Sequence, residues 1–340
     1  MSRPVDPRER FLESIRGRLK ELRDIGRGRS LSVLPGVDFS SNDYLGLAQQ
    51  EHQGGFAGST GSRLLSGHSQ NWEHCEELLA AWHSPEAKHK ALYFPSGYVA
   101  NEGLLSTLID RNDHVFSDAL NHGSIIDGLR LSRAKVNVFP HQDLTALHTS
   151  LQNAPTKGRR FVVTESLFGM DGDQTDLAKV AAICEQNDAL LIVDEAHATG
   201  CYGQTGAGLI EATNTRTQVF ASIHTCGKAL GTHGAYVIVD PEVRDYLVQS
   251  CRHFIFTTSL PDAVATATVR NVQKIQSDPK PRAVLAQHAA LVSKALHDIF
   301  QGQPEFDGQA QSNILPILLG SDTRASAWSC NLLEAGLHVP

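Results

Sequence analysis

The chain has 340 residues, 41% of them hydrophobic and 20% charged, a length and composition that predict one large globular domain with a smaller one attached. Its net charge of −7 argues against broad nucleic-acid binding, and no apolar run approaches the roughly 18 residues of a membrane-spanning helix. Residues 1–30 mix arginine with acidic residues and lack the apolar core of a secretory signal, so we expect a cytoplasmic protein.

The N-terminal residues 1–38 are predicted to form a helical segment. Its apolar side chains follow the spacing of one helical face, and arginine and glutamate occupy the other face. We interpret it as a surface helix that packs on the main body, in preference to a patch that binds an anionic substrate. The apolar face consists of Phe11, Leu12, Ile15, Leu19 and Leu22.

Short apolar runs alternate with helical stretches between residues 90 and 239. This alternation predicts an α/β fold whose central sheet is mostly parallel, in a large domain over residues 39–262. Ligands of such sheets bind at the carboxyl ends of the strands, so the residues that follow each run are candidates for function. The runs are KALYF, DHVFS, KVNVF, RRFVVTE, ALLIVDE, VFASI and AYVIV, and the helical stretches include GYVANEGLLSTLI and DLAKVAAICEQN.

Beyond residue 262 the pattern becomes helical, in DAVATATVRNVQKIQ and PRAVLAQHAALVSKALHDIF. A strand candidate, ILPILL, follows at residues 314–319. We therefore predict a smaller α+β domain over residues 263–340 and expect it to be incomplete.

The cysteines and histidines do not follow a metal-ligand pattern. Neither a Cys-x-x-Cys pair nor a His-Glu-x-x-His spacing occurs, so we predict reduced structural thiols and no metal site. The cysteines are Cys75, Cys184, Cys201, Cys226, Cys251 and Cys330.

Polar side chains follow several of the predicted strands. The run LLIVDEAHATG delivers Asp194 and then His197, and a buried carboxylate is costly unless a cation pairs with it. Capping of the next turn is the alternative role for Asp194. His122 lies in the loop after HVFS, where a histidine without any function is the alternative.

Two further stretches supply a phosphate-binding turn and a lysine. In YFPSGYVAN, Ser96, Gly97 and Tyr98 stand at a strand-to-helix junction, where free amides and the helix dipole favour an anion. In HTCGKALGTHG, Lys228 lies between glycine-bearing turns directly after the run VFASI. A lysine for a Schiff base, a carboxylate for a pyridinium nitrogen and a phosphate cradle are the parts that pyridoxal phosphate requires.

The order of the motifs resembles that of the α-oxoamine synthases, which are fold-type I pyridoxal-phosphate enzymes. The resemblance runs from about residue 10 to the end of the chain. The motifs are specific in combination, and no single one of them is specific alone. The motifs that carry it are FSSNDYLGLA, GSTGSRLLSGHS, SGYVAN, LNHGSIIDG, TESLFGMDGD, VDEAHATGCYGQTGAG, HTCGKALGTHGA and FIFTTSLP.

The resemblance implies a role for each matching position. Lys228 forms the Schiff base with pyridoxal phosphate and moves protons at the substrate carbon. Asp194 holds the pyridinium nitrogen, His197 the phenolic oxygen, and His122 stacks on the ring. The remaining positions bind the phosphate (Ser96, Gly97, Tyr98, Thr225 and, from a neighbouring subunit of a homodimer, Thr258) or the substrate (Asn42 and Arg23).

The reaction implied is the condensation of an amino acid with an acyl thioester, with loss of carbon dioxide. The motifs are most similar to the branch of the family that joins L-alanine to a pimeloyl thioester, on coenzyme A or a carrier protein, in biotin biosynthesis. Other members, namely 2-amino-3-ketobutyrate CoA ligase, 5-aminolevulinate synthase and serine palmitoyltransferase, stay open. So does a catalytically impaired homologue that acts as a partner subunit.

Three features depart from the family pattern. Gly169 stands where a serine usually precedes Met-Asp-Gly, so we expect a hydroxyl contact near the cofactor oxygen to be missing. Residues 51–57 offer only EHQGGFA where a helix is usual, and the chain ends at AGLHVP, before an arginine that binds the substrate carboxylate. The sequence leaves open whether it is a piece of a longer protein or has lost part of its substrate site.

Overall fold

A computed structural model describes residues 7–28, 36–48, 58–155, 157–301, 306 and 312–339. The contacts between residues divide the chain into two compact units. The smaller unit comprises Met1–Ser41, Lys294–Gly308 and Pro316–Pro340, and the larger one comprises Asn42–Ser293 and Gln309–Leu315. The predicted domain boundaries after residues 38 and 262 stay a prediction, and the short segment 51–57 lies outside the described residues.

The described part of the chain contains both strands and helices, each numbered in chain order. The strands are β1 (Val37–Asp38), β2 (Lys90–Phe94), β3 (His114–Asp118), β4 (Lys135–Phe139), β5 (Arg160–Glu165), β6 (Ala189–Asp194), β7 (Val219–Thr225), β8 (Ala235–Val239) and β9 (Leu337–His338). The helices are α1 (Pro7–Asp24), α2 (Gln70–His83), α3 (Gly97–Leu108), α4 (Gly123–Ser132), α5 (Leu144–Gln152), α6 (Leu177–Gln186), α7 (Leu209–Ala212), α8 (Pro241–Ser250), α9 (Arg252–Ile255), α10 (Asp262–Ser277), α11 (Lys280–Ile299) and α12 (Asp322–Glu334).

The larger unit is built around a seven-stranded sheet in the order β2-β8-β7-β6-β5-β3-β4. Within this sheet β8 is antiparallel to both of its neighbours, and the other pairs are parallel. The prediction of an α/β fold with a mostly parallel central sheet is therefore confirmed. All seven predicted apolar runs form strands of this sheet, and three of them (KALYF, KVNVF and AYVIV) match the strand bounds at both ends, while the ends of the other four move by at most two residues.

The central strands are apolar because both of their faces are covered. Leu191, Ile192 and Val193 in β6 are each 0% exposed. Ile192 belongs to the hydrophobic core on one side of the sheet, and Leu191 and Val193 belong to the core on the other side. Continuous apolar runs are the expected sequence for parallel strands that are buried on both faces. The buried strands hold their polar carboxyl ends at one edge of the sheet.

The loop between β7 and β8 is closed by backbone hydrogen bonds. The Cys226 amide donates to the Gly234 carbonyl at 2.9 Å, and the Thr232 amide donates to the Cys226 carbonyl at 2.9 Å. Gly234 has φ +92°, and a Cβ there would lie 2.5 Å from Cε1 of Tyr93, so both its conformation and its surroundings require glycine. This tight turn fixes the backbone that carries Lys228.

The smaller unit contains α1, α12 and a short parallel pairing between β1 and β9. Within it, the guanidinium of Arg27 forms an ion pair with Asp322, and Gly26 packs against Thr323. On the predicted apolar face of α1, Phe11 and Leu19 are 66% and 50% exposed.

The strand predicted at residues 314–319 is wrong, because this stretch has no regular secondary structure. Pro316 interrupts it, and a proline lacks the N–H that a central strand must donate. The amide of Ile314 donates instead to the side-chain hydroxyl of Ser312 at 3.1 Å.

Candidate active site

The carboxyl ends of β5, β6 and β7 lie side by side at one edge of the sheet. Glu165, Asp194 and Ile223 are partners in register across these three strands. Because neighbouring parallel strands point their ends in the same direction, the residues that follow them meet at this edge. The sequence-predicted residues Asp194, His197, Thr225 and Lys228 come from the ends of β6 and β7.

Lys228 and His197 are in direct contact, with 2.6 Å between Nζ and Nε2. Burial lowers the pKa of Lys228, although the carboxylates of Asp194 and Glu165 oppose the shift. Burial, together with the nearby charge of Lys228, lowers the pKa of His197 to about 3. The imidazole is therefore neutral at pH 7, and the lysine amine gives up its proton more readily than an exposed one, which makes it a better nucleophile.

Asp194 is only 4% exposed, and both of its carboxylate oxygens are hydrogen-bonded. The side-chain amide of Asn101 donates to Oδ2 at 2.7 Å, and the backbone amide of Ala196 donates to Oδ1 at 2.8 Å. The bond from the Ala196 amide caps the turn after β6, which is the alternative role that the sequence left open for Asp194. Such bonds also hold the carboxylate in one orientation at the end of β6.

His122 caps the N-terminus of α4 and keeps its ring exposed. Its Nδ1 accepts from the Ser124 amide at 3.2 Å, and its own backbone amide donates to Oε1 of Glu165 at 2.7 Å. The ring of Tyr98 stands edge-on to it, with 6.1 Å between the centroids. The imidazole of His122 is thus exposed and held in place at its backbone and at one ring nitrogen.

The start of α3 lies beside Thr225, the last residue of β7. The hydroxyl of Ser96 accepts from the Val99 amide at 3.2 Å, which is the usual bond of a helix cap. A Cβ at Gly97 would lie 3.7 Å from Oγ1 of Thr225, so the two residues are neighbours. The first amides of a helix have no carbonyl partner within it and carry the positive end of the dipole.

Gly169 lies directly against the imidazole of His197. A Cβ at this position would be 2.3 Å from Nε2 and 2.7 Å from Cε1 of that ring. The space beside residue 169 is thus filled by the histidine itself, and any larger residue requires the ring to move.

The remaining predicted residues lie in three different places. Asn42 is exposed and accepts from the Tyr44 hydroxyl at 3.0 Å. Thr258 is exposed in the segment between α9 and α10. Arg23 belongs to the smaller unit, where its Nε donates to the Leu19 carbonyl of its own helix at 3.1 Å.

Three residues of the site were missed from the sequence. Asn101 links Asp194 to the Ser124 hydroxyl, which in turn bonds Nδ1 of His122. Its buried position in α3, four residues after Gly97, was a weak signal, because a buried polar residue inside a helix needs a partner. Glu165 and Tyr44 gave no signal, since only the packed chain places them next to Asp194 and His197.

Residues 35–340 match the family model described as aminotransferase class I and II, so the chain belongs to this family. The curated 8-amino-7-oxononanoate synthase of Citrifermentans bemidjiense is 39% identical over 94% of this chain and 87% of its own length. Within the family, the chain belongs to the 8-amino-7-oxononanoate synthase group of the α-oxoamine synthases, as the resemblance of the motifs implied.

Solved structures agree with the fold of this family. A serine palmitoyltransferase of Sphingomonas wittichii matches with a TM-score of 0.87 at 28% identity, over 99% of this chain and 89% of its own. A serine palmitoyltransferase variant from S. paucimobilis, described as having bound PLP in an aldimine with myriocin, matches with a TM-score of 0.84 at 25% identity, over 98% and 92% of the chains. These matches confirm the prediction of a fold-type I transferase.

Across the described residues, no group of three or more His, Cys, Asp and Glu side chains is arranged to hold a metal ion. None of the helices in the described ranges is both long and apolar enough to cross a membrane.

Proposed function

We propose that the chain catalyses the decarboxylative condensation of L-alanine with a pimeloyl thioester to form 8-amino-7-oxononanoate in biotin biosynthesis. The observation that carries the proposal is the contact of 2.6 Å between Nζ of Lys228 and Nε2 of His197, beside the buried carboxylate of Asp194. The curated relatives that bear the name of this activity match most of the chain.

Pyridoxal phosphate is the cofactor, and the donor set of the site fits its functional groups. Lys228 matches the aldehyde, because burial lowers the pKa of its amine. The buried, hydrogen-bonded carboxylate of Asp194 matches a protonated ring nitrogen, and the start of α3 beside Thr225 matches the phosphate. When bound, the cofactor supplies an electron sink for the negative charge that develops at the substrate α-carbon.

The chain's own residues divide the remaining work. Lys228 would hold the cofactor and would take and return the proton at the substrate α-carbon. Asp194 would keep the ring nitrogen protonated, while His197 would hold the phenolic oxygen and His122 would cover one face of the ring. Neutral His197 is suited to this, because it can accept or donate a hydrogen bond without bringing a second positive charge next to Lys228.

Phosphate binding is assigned to Ser96, Gly97, Tyr98 and Thr225, with Thr258 supplied by a second copy of the chain in a homodimer. The exposure of Thr258 supports a role outside its own subunit. Asn42 and Arg23 are assigned to the substrate. We also propose a cytoplasmic location, which is supported by the free state of all six cysteines, as expected in a reducing compartment.

A second candidate is an activity of the serine palmitoyltransferase type, because solved structures of that enzyme match with TM-scores of 0.87 and 0.84. The two candidates differ in the amino acid and in the acyl chain. A partner subunit without catalysis is less consistent with the site, since such a subunit has no need for a buried Asp194 close to a buried Lys228.

The test is an absorbance titration of the purified protein with L-alanine, glycine and L-serine in separate experiments, followed by product analysis with pimeloyl-CoA. A shift of the Schiff-base band at the lowest concentration of alanine, with formation of 8-amino-7-oxononanoate, supports the proposal. A preferential response to serine or glycine moves the assignment to another α-oxoamine synthase. The absence of a band after addition of pyridoxal phosphate rejects all of these activities.

A further inference from the structure

We infer that Tyr44 is a positioning residue that fixes His197 in the Nδ1–H tautomer, so that the lone pair of Nε2 faces Lys228. The inference concerns a side chain to which neither the motifs nor the relatives assign a role. It rests on the proposed function only for its catalytic consequence, because the tautomer itself is a property of the chain.

The hydroxyl of Tyr44 has two polar neighbours. Its oxygen lies 3.0 Å from Oδ1 of Asn42 and 2.8 Å from Nδ1 of His197. A phenol carries one proton, and the amide oxygen of Asn42 can only accept a hydrogen bond. The hydroxyl therefore donates to Asn42 and presents a lone pair to His197.

The two ring nitrogens of His197 have different neighbours. Because the Tyr44 oxygen accepts, Nδ1 must be the nitrogen that carries the proton and donates to it. A neutral imidazole has one N–H and one lone pair, which leaves Nε2 as the acceptor. Nε2 is the atom that lies 2.6 Å from Nζ of Lys228, a side chain that has protons to donate. Both contacts of the imidazole are satisfied by this one tautomer.

The surroundings hold this arrangement in place. Burial raises the pKa of Tyr44, so the phenol keeps its proton at neutral pH, and the low pKa of His197 keeps the ring neutral. On the other side of the ring lies the backbone of Gly169, close enough that a Cβ there would collide with Nε2. Contacts with Tyr44, Lys228 and Gly169 hold the imidazole in one orientation, so Nδ1 stays next to Tyr44 and Nε2 next to Lys228.

The hydrogen bonds form a chain from Asn42 through Tyr44 and His197 to Lys228, and when the cofactor is bound the same tautomer would present the Nε2 lone pair to the phenolic oxygen that His197 is proposed to hold. Loss of the Tyr44 hydroxyl leaves the Nδ1–H of a mostly buried ring without its acceptor. The tautomer with the proton on Nε2 then becomes more favourable in free energy than the one with the proton on Nδ1, and it would present an N–H to the lysine. We expect this change to affect turnover more than substrate affinity, since Tyr44 acts through His197.

The test is nitrogen NMR of the full chain labelled with ¹⁵N-histidine, recorded before and after removal of the cofactor. Nitrogen shifts of a neutral imidazole distinguish the protonated nitrogen from the bare one, and a His197→Gln variant identifies the signal of His197. In the wild-type protein without cofactor we expect protonation at Nδ1 and not at Nε2. A wild-type spectrum with the proton on Nε2 overturns the inference, whether or not the protein is active.

The variant experiment compares Tyr44→Phe with Tyr202→Phe. Tyr202 is a matched control, because its hydroxyl also donates to an asparagine oxygen, at 3.0 Å from Oδ1 of Asn313, and burial also raises its pKa. We expect Tyr44→Phe to shift the His197 nitrogen signals towards the other tautomer and to lower kcat about tenfold with little change in KM. Tyr202→Phe is expected to leave the nitrogen signals of His197 unchanged.

Unchanged nitrogen signals in a folded Tyr44→Phe protein also overturn the inference. If that variant does not fold, the wild-type spectrum decides. A protein that shows the Nδ1–H tautomer but forms no product retains the inference about Tyr44 and loses the proposed function, so the two failures are distinguishable.

Discussion

Glu165 and Asp194 are partners in register at the ends of β5 and β6, and both carboxyl groups are buried, with 5% and 4% of each residue exposed. Burial, together with the charge of Asp194, raises the pKa of Glu165 from 4.5 to about 8. Glu165 therefore holds its proton more tightly than an exposed glutamate does, because a further buried negative charge beside Asp194 is costly. Glu165 keeps its proton, while its Oε1 accepts from the amide of His122.

Replacement of Glu165 by glutamine is expected to change the pH dependence of stability. The folded protein binds a proton at Glu165 between pH 4.5 and 8 that the unfolded chain releases, so this residue's stabilising contribution is lost as pH rises through that window. Glutamine does not titrate, and the difference between the variant and wild-type urea midpoints should grow in favour of the variant from pH 5 to pH 8. Parallel midpoints over this range would show that Glu165 is ionised in the folded protein.

Lys228→Ala is expected to abolish covalent attachment of pyridoxal phosphate. Mass spectrometry after borohydride reduction measures the attachment, since reduction makes the Schiff base permanent. Lys179→Ala is the control, because Lys179 is exposed and pairs with Asp176 on helix α6. The control should keep the added mass of the cofactor, and an equal added mass in Lys228→Ala would show that another lysine carries it.

Asp194→Asn is expected to retain some cofactor and lose most turnover, by about a hundredfold or more, because a neutral amide does not keep the ring nitrogen protonated. Asp118 provides a matched control, since it is also buried at the end of a parallel strand of the same sheet, β3, where it accepts from the amides of Leu120 and Gln142. Asp118→Asn should lower thermal stability more than kcat. Equal kcat for Asp194→Asn and the wild type would remove Asp194 from its assigned role.

Gly169→Ala tests the close packing beside His197. The added Cβ would meet Nε2 at 2.3 Å, so the imidazole must rotate away and its contact with Lys228 must lengthen. We expect lower kcat and an altered absorbance spectrum of the bound cofactor. Gly58→Ala is the control, because a Cβ at Gly58 meets nothing within 4 Å. If both variants behave like the wild type, the ring has more freedom than this packing allows.

Arg63→Met is expected to destabilise the larger unit by about 3 kcal/mol, because the buried carboxylate of Glu76 loses its nearest cation and keeps only the Tyr93 amide and Arg244, whose Nη2 is 3.7 Å from Oε2. Nη1 of Arg63 lies 3.0 Å from Oε1 of Glu76, with 7% and 8% of the side chains exposed. Arg130→Met is the comparison, since the pair between Arg130 and Asp127 is on the surface. Urea unfolding measures the loss of stability in each variant. Similar midpoints for the two variants would show that the buried pair contributes no more to stability than the surface pair.

Much of the larger unit could be predicted from the sequence because its sheet is buried on both faces. That burial demands apolar residues at nearly every position of a strand, and each of the seven runs is therefore visible by itself. Asp194, His197 and Lys228 were candidates for the same reason, since each lies at or just after the end of such a run, whereas Thr225 was implied only by the resemblance to the family.

The rest depends on contacts between distant parts of the chain. Tyr44 and His197 are 153 residues apart, and a tyrosine in a loop has no periodic pattern that indicates its partner. Glu165 has the sequence signature of any strand end, and only the register of β5 with β6 places it against Asp194. At residues 314–319 a strand was predicted where the structure has none, because the apolar run was given more weight than the proline inside it.

The pairing of β1 with β9 joins residues 37 and 38 to residues 337 and 338. A ribosome releases the N-terminal partner of this pair long before it has made the C-terminal one. The sheet of the larger unit, whose strands all lie between residues 90 and 239, can assemble while synthesis continues. Strand β1 has to wait for β9, so this pairing forms only after residues 337 and 338 have been synthesised.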